Sequence, residues 1–259
     1  MNTAPTHVPG HDLLRDRVAV VTAAAGAGIG GATARRMLEE GARVLIGDAH
    51  QRRLEETELA LAAEFGPGNI ASVPCDVTSE EQVEAMFTAA LERFGDIDVV
   101  VNNAGLGGTA RLVDMTDEQW NRVIDVTLTG TMRCTRHALR LMADRGGVIV
   151  NNASVIGWRA QEGQAHYAAA KAGVMALTRC AAIEAAPSDV RVNAVAPSLA
   201  VHPHLAKVTS QETLDRLTEQ EAFGRHAEPW EVANVIVFLA SDYSSYMTGE
   251  TVSVSSQRA

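Results

Sequence analysis

The stretch Arg17-Val-Ala-Val-Val-Thr22-Ala-Ala-Ala-Gly26-Ala-Gly28-Ile-Gly30 joins an apolar run to a glycine-rich loop at the start of a helical pattern. The β-branched run predicts a strand, and the spacing after the loop predicts a helix that stops at Gly41. Glycines let a backbone approach a pyrophosphate, and a helix N-terminus offers free amides and the positive end of its dipole. The stretch therefore predicts a dinucleotide-binding turn, with a merely flexible turn as the alternative. The candidate contacts are Gly26, Gly28, Ile29 and Gly30.

Outward from this turn, strands and helices alternate to the end of the chain. Alternating units of this kind specify an α/β fold, with a doubly wound parallel sheet and helices on both faces. We expect one domain over residues 15–259, preceded by a flexible arm over residues 1–14. The predicted strands are 17–22, 43–47, 71–74, 97–102, 147–153, 190–196 and 251–255. The predicted helices are 28–40, 52–65, 79–94, 116–142, 165–185, 211–221 and 229–240, of which the third and fourth open on capping boxes.

Composition excludes several classes of function. The net charge of -10 argues against a nucleic-acid surface, and it means that an anionic substrate would need a local basic patch. No stretch approaches the ~20 apolar residues of a membrane span, and residues 1–11 lack the apolar core of a signal peptide. Cys75, Cys134 and Cys180 are isolated and odd in number, which predicts reduced, buried thiols in a cytoplasmic protein. The eight histidines show no ligand spacing, so no metal site is predicted.

Acidic and amide side chains follow the next predicted strands. Asp48 stands about twenty residues beyond the glycine loop, where a carboxylate can bind adenosine ribose hydroxyls and repel a 2′-phosphate. Capping of the following helix is the alternative for Asp48, and His50, Arg52 and Arg53 keep NADP open beside NAD. The next strands end at Asp76 and at the turn Asn102-Asn103-Ala104-Gly105. Ligands bind at the carboxyl ends of such strands, which adds Asp76, Val77, Asn103, Ala104 and Gly105 to the candidate cofactor contacts.

The sequence Tyr167-Ala-Ala-Ala-Lys171, with Ser154 thirteen residues before it, predicts acid/base chemistry. Positions i and i+4 share a helix face, so the Lys171 ammonium can lie beside the Tyr167 phenol and lower its pKa. The Ser154 hydroxyl can polarise a carbonyl oxygen. The alternative is an exposed helix on which a tyrosine packs against a lysine stem.

Together these motifs resemble the short-chain dehydrogenase/reductase family over about residues 15–255. Arg191-Val-Asn-Ala-Val-Ala-Pro197 and Phe238-Leu-Ala-Ser-Asp242 are also similar to that family. The resemblance implies a three-layer, Rossmann-type sheet of seven strands, a nicotinamide cofactor and a homotetramer. It implies that Tyr167 transfers the proton, that Lys171 binds the nicotinamide ribose and that Ser154 holds the substrate oxygen. Pro197 and Ala200 would also contact the cofactor.

The chain departs from the family pattern at several positions. Ala24 stands where the first glycine of the loop would align, Ser198 follows Pro197 in place of glycine, and His202 replaces a threonine. Thr127 stands where the family has an asparagine that organises a water in the proton relay. We expect Thr127 either to hold a displaced water or to leave the relay to another polar group, with Asn152 a candidate. The ending Ser255-Ser-Gln-Arg-Ala259 replaces a Gly-Gly tail.

A narrower resemblance is found in three segments, which are the glycine loop 22–30, Ala153–Arg159 and the C-terminal residues 255–259. They are similar to actinobacterial members that act in steroid C/D-ring breakdown on an indane-type propionyl-CoA. The leading hypothesis is an NAD(H)-dependent alcohol/ketone oxidoreductase acting on a small-molecule substrate. Residues 198–226, with Leu106 to Arg111, Trp158 and His202, would line the substrate pocket. An NADPH-dependent 3-oxoacyl thioester reductase is the alternative, and a non-catalytic dinucleotide sensor is a third hypothesis.

Overall fold

The computed structural model describes residues 4–201 and 211–256. In this part of the chain, seven parallel strands form one sheet in the order β3-β2-β1-β4-β5-β6-β7. The strands are β1 (Val18–Thr22), β2 (Arg43–Asp48), β3 (Ile70–Pro74), β4 (Val99–Asn102), β5 (Gly147–Asn152), β6 (Val190–Pro197) and β7 (Thr251–Val254). The helices are α1 (Ile29–Glu39), α2 (Gln51–Phe65), α3 (Glu80–Phe94), α4 (Asp117–Ile124), α5 (Gly130–Met142), α6 (Ala165–Ala185), α7 (Gln211–Glu219) and α8 (Pro229–Ala240). The predicted doubly wound α/β fold is confirmed.

Alternate residues of the central strands bury against opposite helical layers. In β1, Val21 belongs to the core shared with α1 and α8, whereas Val20 belongs to the core shared with α3, α5 and α6. Both valines are fully buried, and full burial of such a side chain stabilises a fold by about 1.5–3 kcal/mol. Because both faces are covered, the strands are continuous apolar runs, as parallel sheets require.

The sheet register aligns the carboxyl ends of the strands at one edge. Thr22 pairs with Gly47, Asp48 with Pro74, and Asn102 with Asn151. The strand order reverses at β1, which lies between β2 and β4. In open parallel sheets, this reversal opens a crevice at the carboxyl ends, where ligands bind.

The predicted helix over 116–142 is interrupted. Thr116 and Gln119 form the expected capping box at the start of α4. A π-helical turn, Asp125–Thr129, then separates α4 from α5. The wider turn inserts one residue into the helical repeat, and such turns are frequent at functional sites. It places Thr127 in the interior of the protein.

Residues 8–13 lie along α1. The Glu40 carboxylate, which is fully buried, accepts hydrogen bonds from the backbone amides of His11 at 2.7 Å and Leu13 at 3.0 Å. Arg36 donates to the carbonyl of Val8 at 2.6 Å. The predicted arm therefore makes fixed contacts from Val8 onward, because the buried Glu40 carboxylate at the C-cap of α1 is paired with its amides as well as with Arg36.

The three cysteines are free thiols in two different settings. Cys75 and Cys134 are buried as predicted, and burial raises the pKa of Cys75 to about 12. Cys180 is exposed, contrary to the prediction, because it lies on the outer face of α6. None of the helices in the described ranges has both the length and the apolar character needed to cross a membrane.

Candidate active site

The glycine loop is built so that the backbone alone forms its surface. Gly26 has a φ of +86°, which favours glycine. A Cβ on Gly30 would lie 2.3 Å from the Ala23 carbonyl oxygen and 2.5 Å from Asn103 Nδ2, so no side chain fits there. Gly28 is the N-cap of α1 and offers no side-chain cap. The first amides of α1 therefore remain available to an anionic group.

The turn after β4 holds this loop in place. Asn103 Nδ2 donates to the carbonyl oxygens of Thr22 at 3.2 Å and Ala23 at 3.0 Å. In return, the Thr22 hydroxyl accepts from the backbone amides of Asn103 and Ala104. These bonds join the ends of two adjacent strands, so the predicted cofactor residues after β1 and β4 form one surface.

Asp48 is buried at the end of β2, and its carboxylate accepts hydrogen bonds from the backbone amides of two loops. Its Oδ2 accepts from the Ala25 amide of the glycine loop at 3.1 Å, and its Oδ1 accepts from the His50 amide at 2.8 Å. The second bond closes a turn onto the residue that precedes α2, and no side chain caps that helix, so Asp48 does not act as its N-cap. Each carboxylate oxygen keeps a further lone pair. The Arg53 guanidinium lies 4.0 Å from Oδ1.

Asp76 and Val77 form the next part of the same edge. Asp76 Oδ1 accepts from both the amide and the hydroxyl of Thr78, at 2.9 and 2.8 Å. Its backbone amide donates to Gln82 Oε1, which replaces the return bond of the capping box predicted there. Val77 is buried, and a Cβ on Gly130 would lie 2.6 Å from its side chain.

These features fit a dinucleotide. A glycine loop with no room for a Cβ at Gly30, an uncapped helix N-terminus and an acidic side chain follow one another from β1 to β2 at the crevice. The glycine backbone and α1 amides would hold the pyrophosphate, and Asp48 would hold the adenosine ribose.

Ser154, Tyr167 and Lys171 come together beyond the ends of β5 and β6. Ser154 follows β5, and its hydroxyl makes a long bond of 3.4 Å to the Pro197 carbonyl. Lys171 Nζ lies 5.6 Å from the centroid of the Tyr167 ring, as the spacing on α6 predicts. Nζ also donates to the Asn152 backbone carbonyl at 2.5 Å. The structure thus brings the three predicted catalytic side chains to one place.

Burial controls the protonation of this cluster. Desolvation raises the pKa of Tyr167 to about 12, and a hydrogen bond with Ser154 partly opposes that rise. Desolvation also lowers the pKa of Lys171 to about 8. That Lys171 lowers the pKa of Tyr167 stays a prediction, because in this geometry desolvation of the phenol is the largest influence on its pKa. The ammonium bonds to the Asn152 carbonyl, and the loss of water around the phenol outweighs any attraction between the two groups.

Thr127 is fully buried in the π-turn, beside Lys171. A Cβ on Gly105 would lie 3.2 Å from Lys171 Nζ and 3.8 Å from Thr127 Cγ2. The Thr127 hydroxyl donates to the Leu106 carbonyl at 3.2 Å and accepts from the Leu106 amide at 3.0 Å. Its carbonyl accepts from the Thr131 hydroxyl. The only proton of the Thr127 hydroxyl is therefore engaged, and it is the Asn152 backbone that bonds to Lys171.

Contacts at both ends hold residues 198–201 and 211–226, the described parts of the segment predicted to line the substrate pocket. The amide of Ala227 donates to the Leu199 carbonyl, forming a bridge between Ala200 and Ala227. The buried Glu221 carboxylate accepts from the Leu199 amide at 3.4 Å and from the Ser256 hydroxyl at 2.9 Å. The segment after β6 is thus joined to the C-terminal segment after β7.

The predicted pocket residues differ in their surroundings. Leu106 is half-buried beside Thr127, and Trp158 is 52% exposed at the end of the turn after Ser154. His202 lies outside the described residues.

His166 is a neighbour of the site that the sequence analysis missed. It is 2% exposed, and its Nδ1 accepts from the Tyr167 amide at 2.9 Å. A Cβ on Gly108 would lie 3.4 Å from its Nε2, and Gln164 donates to the Gly108 carbonyl at 2.7 Å. The loop after Leu106 therefore packs on the start of α6. The signal was adjacency to Tyr167, whereas the histidines were searched only for metal-ligand spacing.

Comparison with known proteins agrees with this geometry. A family described as enoyl-(acyl carrier protein) reductase matches residues 23–256. A Mycobacterium tuberculosis protein, (5R,7aS)-5-hydroxy-7a-methyl-1-oxo-2,3,5,6,7,7a-hexahydro-1H-indene-carboxyl-CoA reductase, is 62% identical over 99% of this chain and 98% of its own length. A 3-oxoacyl-[acyl-carrier-protein] reductase from Thermotoga maritima is 39% identical over 93% of this chain and 97% of its own.

A solved structure shows the same architecture. The crystal structure of a short chain dehydrogenase from Mycobacterium smegmatis has a TM-score of 0.88 and 60% sequence identity, and 99% of each chain is covered. With this likeness over its whole length, the chain belongs to the short-chain dehydrogenase/reductase family, NAD(P)-dependent oxidoreductases that act on an alcohol or carbonyl group.

Proposed function

We propose that this enzyme reduces a ring ketone, or oxidises the matching ring alcohol, in a steroid-derived bicyclic CoA thioester with NAD(H). The observation that carries the proposal is the cluster of Ser154, Tyr167 and Lys171 at the crevice, in a chain 62% identical to an indene-carboxyl-CoA reductase. That relative's name specifies a carboxyl thioester, whereas the sequence resemblance implied a propionyl thioester. The proposal adopts the carboxyl form.

Ser154, Tyr167 and Lys171 have different roles in the proposed carbonyl reduction. A nicotinamide cofactor held at the crevice would supply or accept the hydride. Ser154 exchanges its long bond to Pro197 for one to the carbonyl oxygen, where negative charge develops. The Tyr167 hydroxyl donates its proton to the same oxygen, and a pKa of about 12 keeps it protonated before the reaction. Lys171 supplies positive charge to the tyrosinate left behind.

The preference for NAD(H) rests on Asp48. Its buried carboxylate lies at the end of β2 and bonds to the glycine loop. A cofactor 2′-phosphate at this edge would face that charge, whereas ribose hydroxyls would find an acceptor. Arg53, 4.0 Å away, is the feature that favours NADP.

The 39% identity to a 3-oxoacyl reductase supports the second candidate, a straight-chain 3-oxoacyl thioester reductase using NADPH. Asp48 disfavours it. A non-catalytic sensor is disfavoured because Ser154, Tyr167 and Lys171 are all present and together.

The decisive experiment compares substrates and cofactors on the purified enzyme. Initial rates are measured with the indene-carboxyl-CoA ketone and with acetoacetyl-CoA, each with NADH and with NADPH. We expect the highest kcat/KM for the ring thioester with NADH. Tyr167→Phe is the control and should reduce turnover by ~10²–10⁴-fold, the usual worth of a general acid, while NADH binding is retained. Higher kcat/KM for acetoacetyl-CoA with NADPH would establish the second candidate.

We also propose that the protein is a cytoplasmic homotetramer in which α5 and α6 face their symmetry mates. A groove of about 520 Å³ runs between these helices, bordered by Leu139, Leu177 and the exposed Cys180. Multi-angle light scattering at micromolar concentration tests the assembly, and a monomer would refute it.

A further inference from the structure

A second groove lies beside the start of α6, outside the catalytic cluster. It has a volume of about 430 Å³ and runs between the loops 111–113 and 160–165. Ala165 and Ala168 of α6 form part of its wall. Successive residues of a helix are rotated by about 100°, so Ala168 and Tyr167 occupy adjacent faces of one helical turn. The groove is therefore one step around the helix from the catalytic phenol.

The two loops are tied together and to the site. The Ala110 amide donates to the Gly163 carbonyl at 3.0 Å, and Gln164 donates to Gly108 at 2.7 Å. Residues 111–113 belong to a longer loop that begins at Leu106, and the backbone amide of Leu106 donates a hydrogen bond to the Thr127 hydroxyl. The groove walls are thus fixed relative to Tyr167.

The wall of the groove combines exposed apolar side chains with an amide and a positively charged group. Leu112 and Val113 are 68% and 81% exposed, an unusual display of large apolar side chains on adjacent residues. The Gln161 amide and the Arg111 guanidinium also border the groove, and neither has a side-chain hydrogen-bond partner among the described residues. A ligand for this surface needs apolar carbon, amide groups and an anionic end.

We propose that this groove binds the phosphopantetheine arm of a CoA thioester, with Arg111 on a phosphate. This inference rests on the proposed function, which places the thioester's acyl group at Tyr167. The dimethyl carbon of the arm packs on Leu112 and Val113, and its amides bond to Gln161. The arm passes from the phenol around the first turn of α6, so Arg111 supplies the local basic charge that a chain of net charge -10 needs for an anionic substrate.

Other charges around the groove set the expected strength. Arg159 follows Trp158 next to the second loop and adds positive charge, whereas Glu162 borders the groove and Asp114 follows the first loop. Arg111 lines the groove itself, so reversing its charge leaves Arg159 alone against the acidic side chains of Glu162 and Asp114 and weakens the attraction for a phosphate.

Calorimetry with free CoA tests the proposal directly. The enzyme is saturated with NADH, which blocks the cofactor's own adenosine site. We expect Arg111→Glu to weaken CoA binding at least tenfold and Glu162→Gln to leave it equal or tighter. Arg15→Glu, the same charge change on an exposed side chain just before β1, should change it less than twofold. Leu112→Ser should weaken CoA and pantetheine alike, because both contain the dimethyl carbon.

Pantetheine, which lacks the phosphates and the nucleotide, separates the two parts of the arm. It should bind more weakly than CoA and respond less than twofold to Arg111→Glu. Equal CoA affinities for wild type and Arg111→Glu, or equal losses in Arg111→Glu and Arg15→Glu, would overturn the assignment. If Arg111→Glu fails to fold, as circular dichroism would show, Arg111→Gln and the salt dependence of wild-type binding decide. CoA binding with no turnover of the ring ketone would instead refute only the proposed acyl group.

Discussion

Replacing Thr127 by valine isolates what its hydroxyl does. Valine keeps the β-branched shape of threonine, so the packing of the fully buried side chain in the π-turn is preserved. The change removes one donor and one acceptor. Both served the backbone of Leu106, at 3.2 and 3.0 Å, and neither served Lys171.

The magnitude follows from those two bonds. Leaving a buried polar group unpaired costs about 1–3 kcal/mol. Leu106 is only half-buried, so water can replace part of the loss. We expect Thr127→Val to lower the free energy of unfolding by about 1–2 kcal/mol. Turnover should fall roughly tenfold or less, about 1.4 kcal/mol in barrier.

Urea unfolding and steady-state kinetics on matched variants test this reasoning. Thr127→Ser restores the hydroxyl and should recover most of the stability. Ser154→Ala should lower kcat more than Thr127→Val does, because the proposed role of Ser154 is to bond to the oxygen where charge develops. The effect of Thr127→Val should appear mainly in KM, through the loop after Leu106. A kcat as low as that of Ser154→Ala, with a changed pH profile, would make Thr127 part of the proton relay and refute this interpretation.

Two further predictions follow from the buried charges. Asp48→Ala should narrow the preference for NADH over NADPH, measured as the ratio of kcat/KM values; a wild type that prefers NADPH would contradict the role given to Asp48. Burial lowers the pKa of Lys171 to about 8 from an ordinary 10.5, so between these values the unfolded chain binds more protons and the contribution of Lys171 to stability should rise with pH, whereas the buried Cys75 thiol acts in the opposite direction above pH 9. Lys171→Met should flatten that rise in urea midpoints taken from pH 8 to 10, and equal slopes in both proteins would show that another group is responsible.

The fold was predictable because each element carries its own periodicity. Valine-rich runs gave all seven strands, and the capping residues Ser79 and Thr116 marked their helices within a residue of the observed starts. The π-turn at 125–129 was missed, because one extra residue in a helix does not disturb an apolar pattern that is already irregular there. The exposure of Cys180 was missed because alanine-rich α6 has no strongly polar face to mark its outer side.

The candidate site likewise contains residues that the sequence predicts and contacts that it does not. Ser154, Tyr167 and Lys171 could be placed from spacing alone, since strand ends and helix turns fix their positions. The partners of Thr127 and Lys171 could not, because both bond to backbone carbonyls, and any residue type presents those. The pKa of Tyr167 also depends on how completely the fold excludes water, a property of the assembled layers.

The contacts of residues 8–13 with α1 limit how this protein can be recombined with its relatives. The match to the family description begins at residue 23, and a chimera joined there would combine the native residues 8–13 with α1 of another protein. The side chains of Arg36 and Glu40, which bond to residues 8–13, lie on the other side of that junction. Residues 8–40 therefore have to be exchanged together. Removing the residues before β1 would expose the Glu40 carboxylate, which is buried in the intact protein.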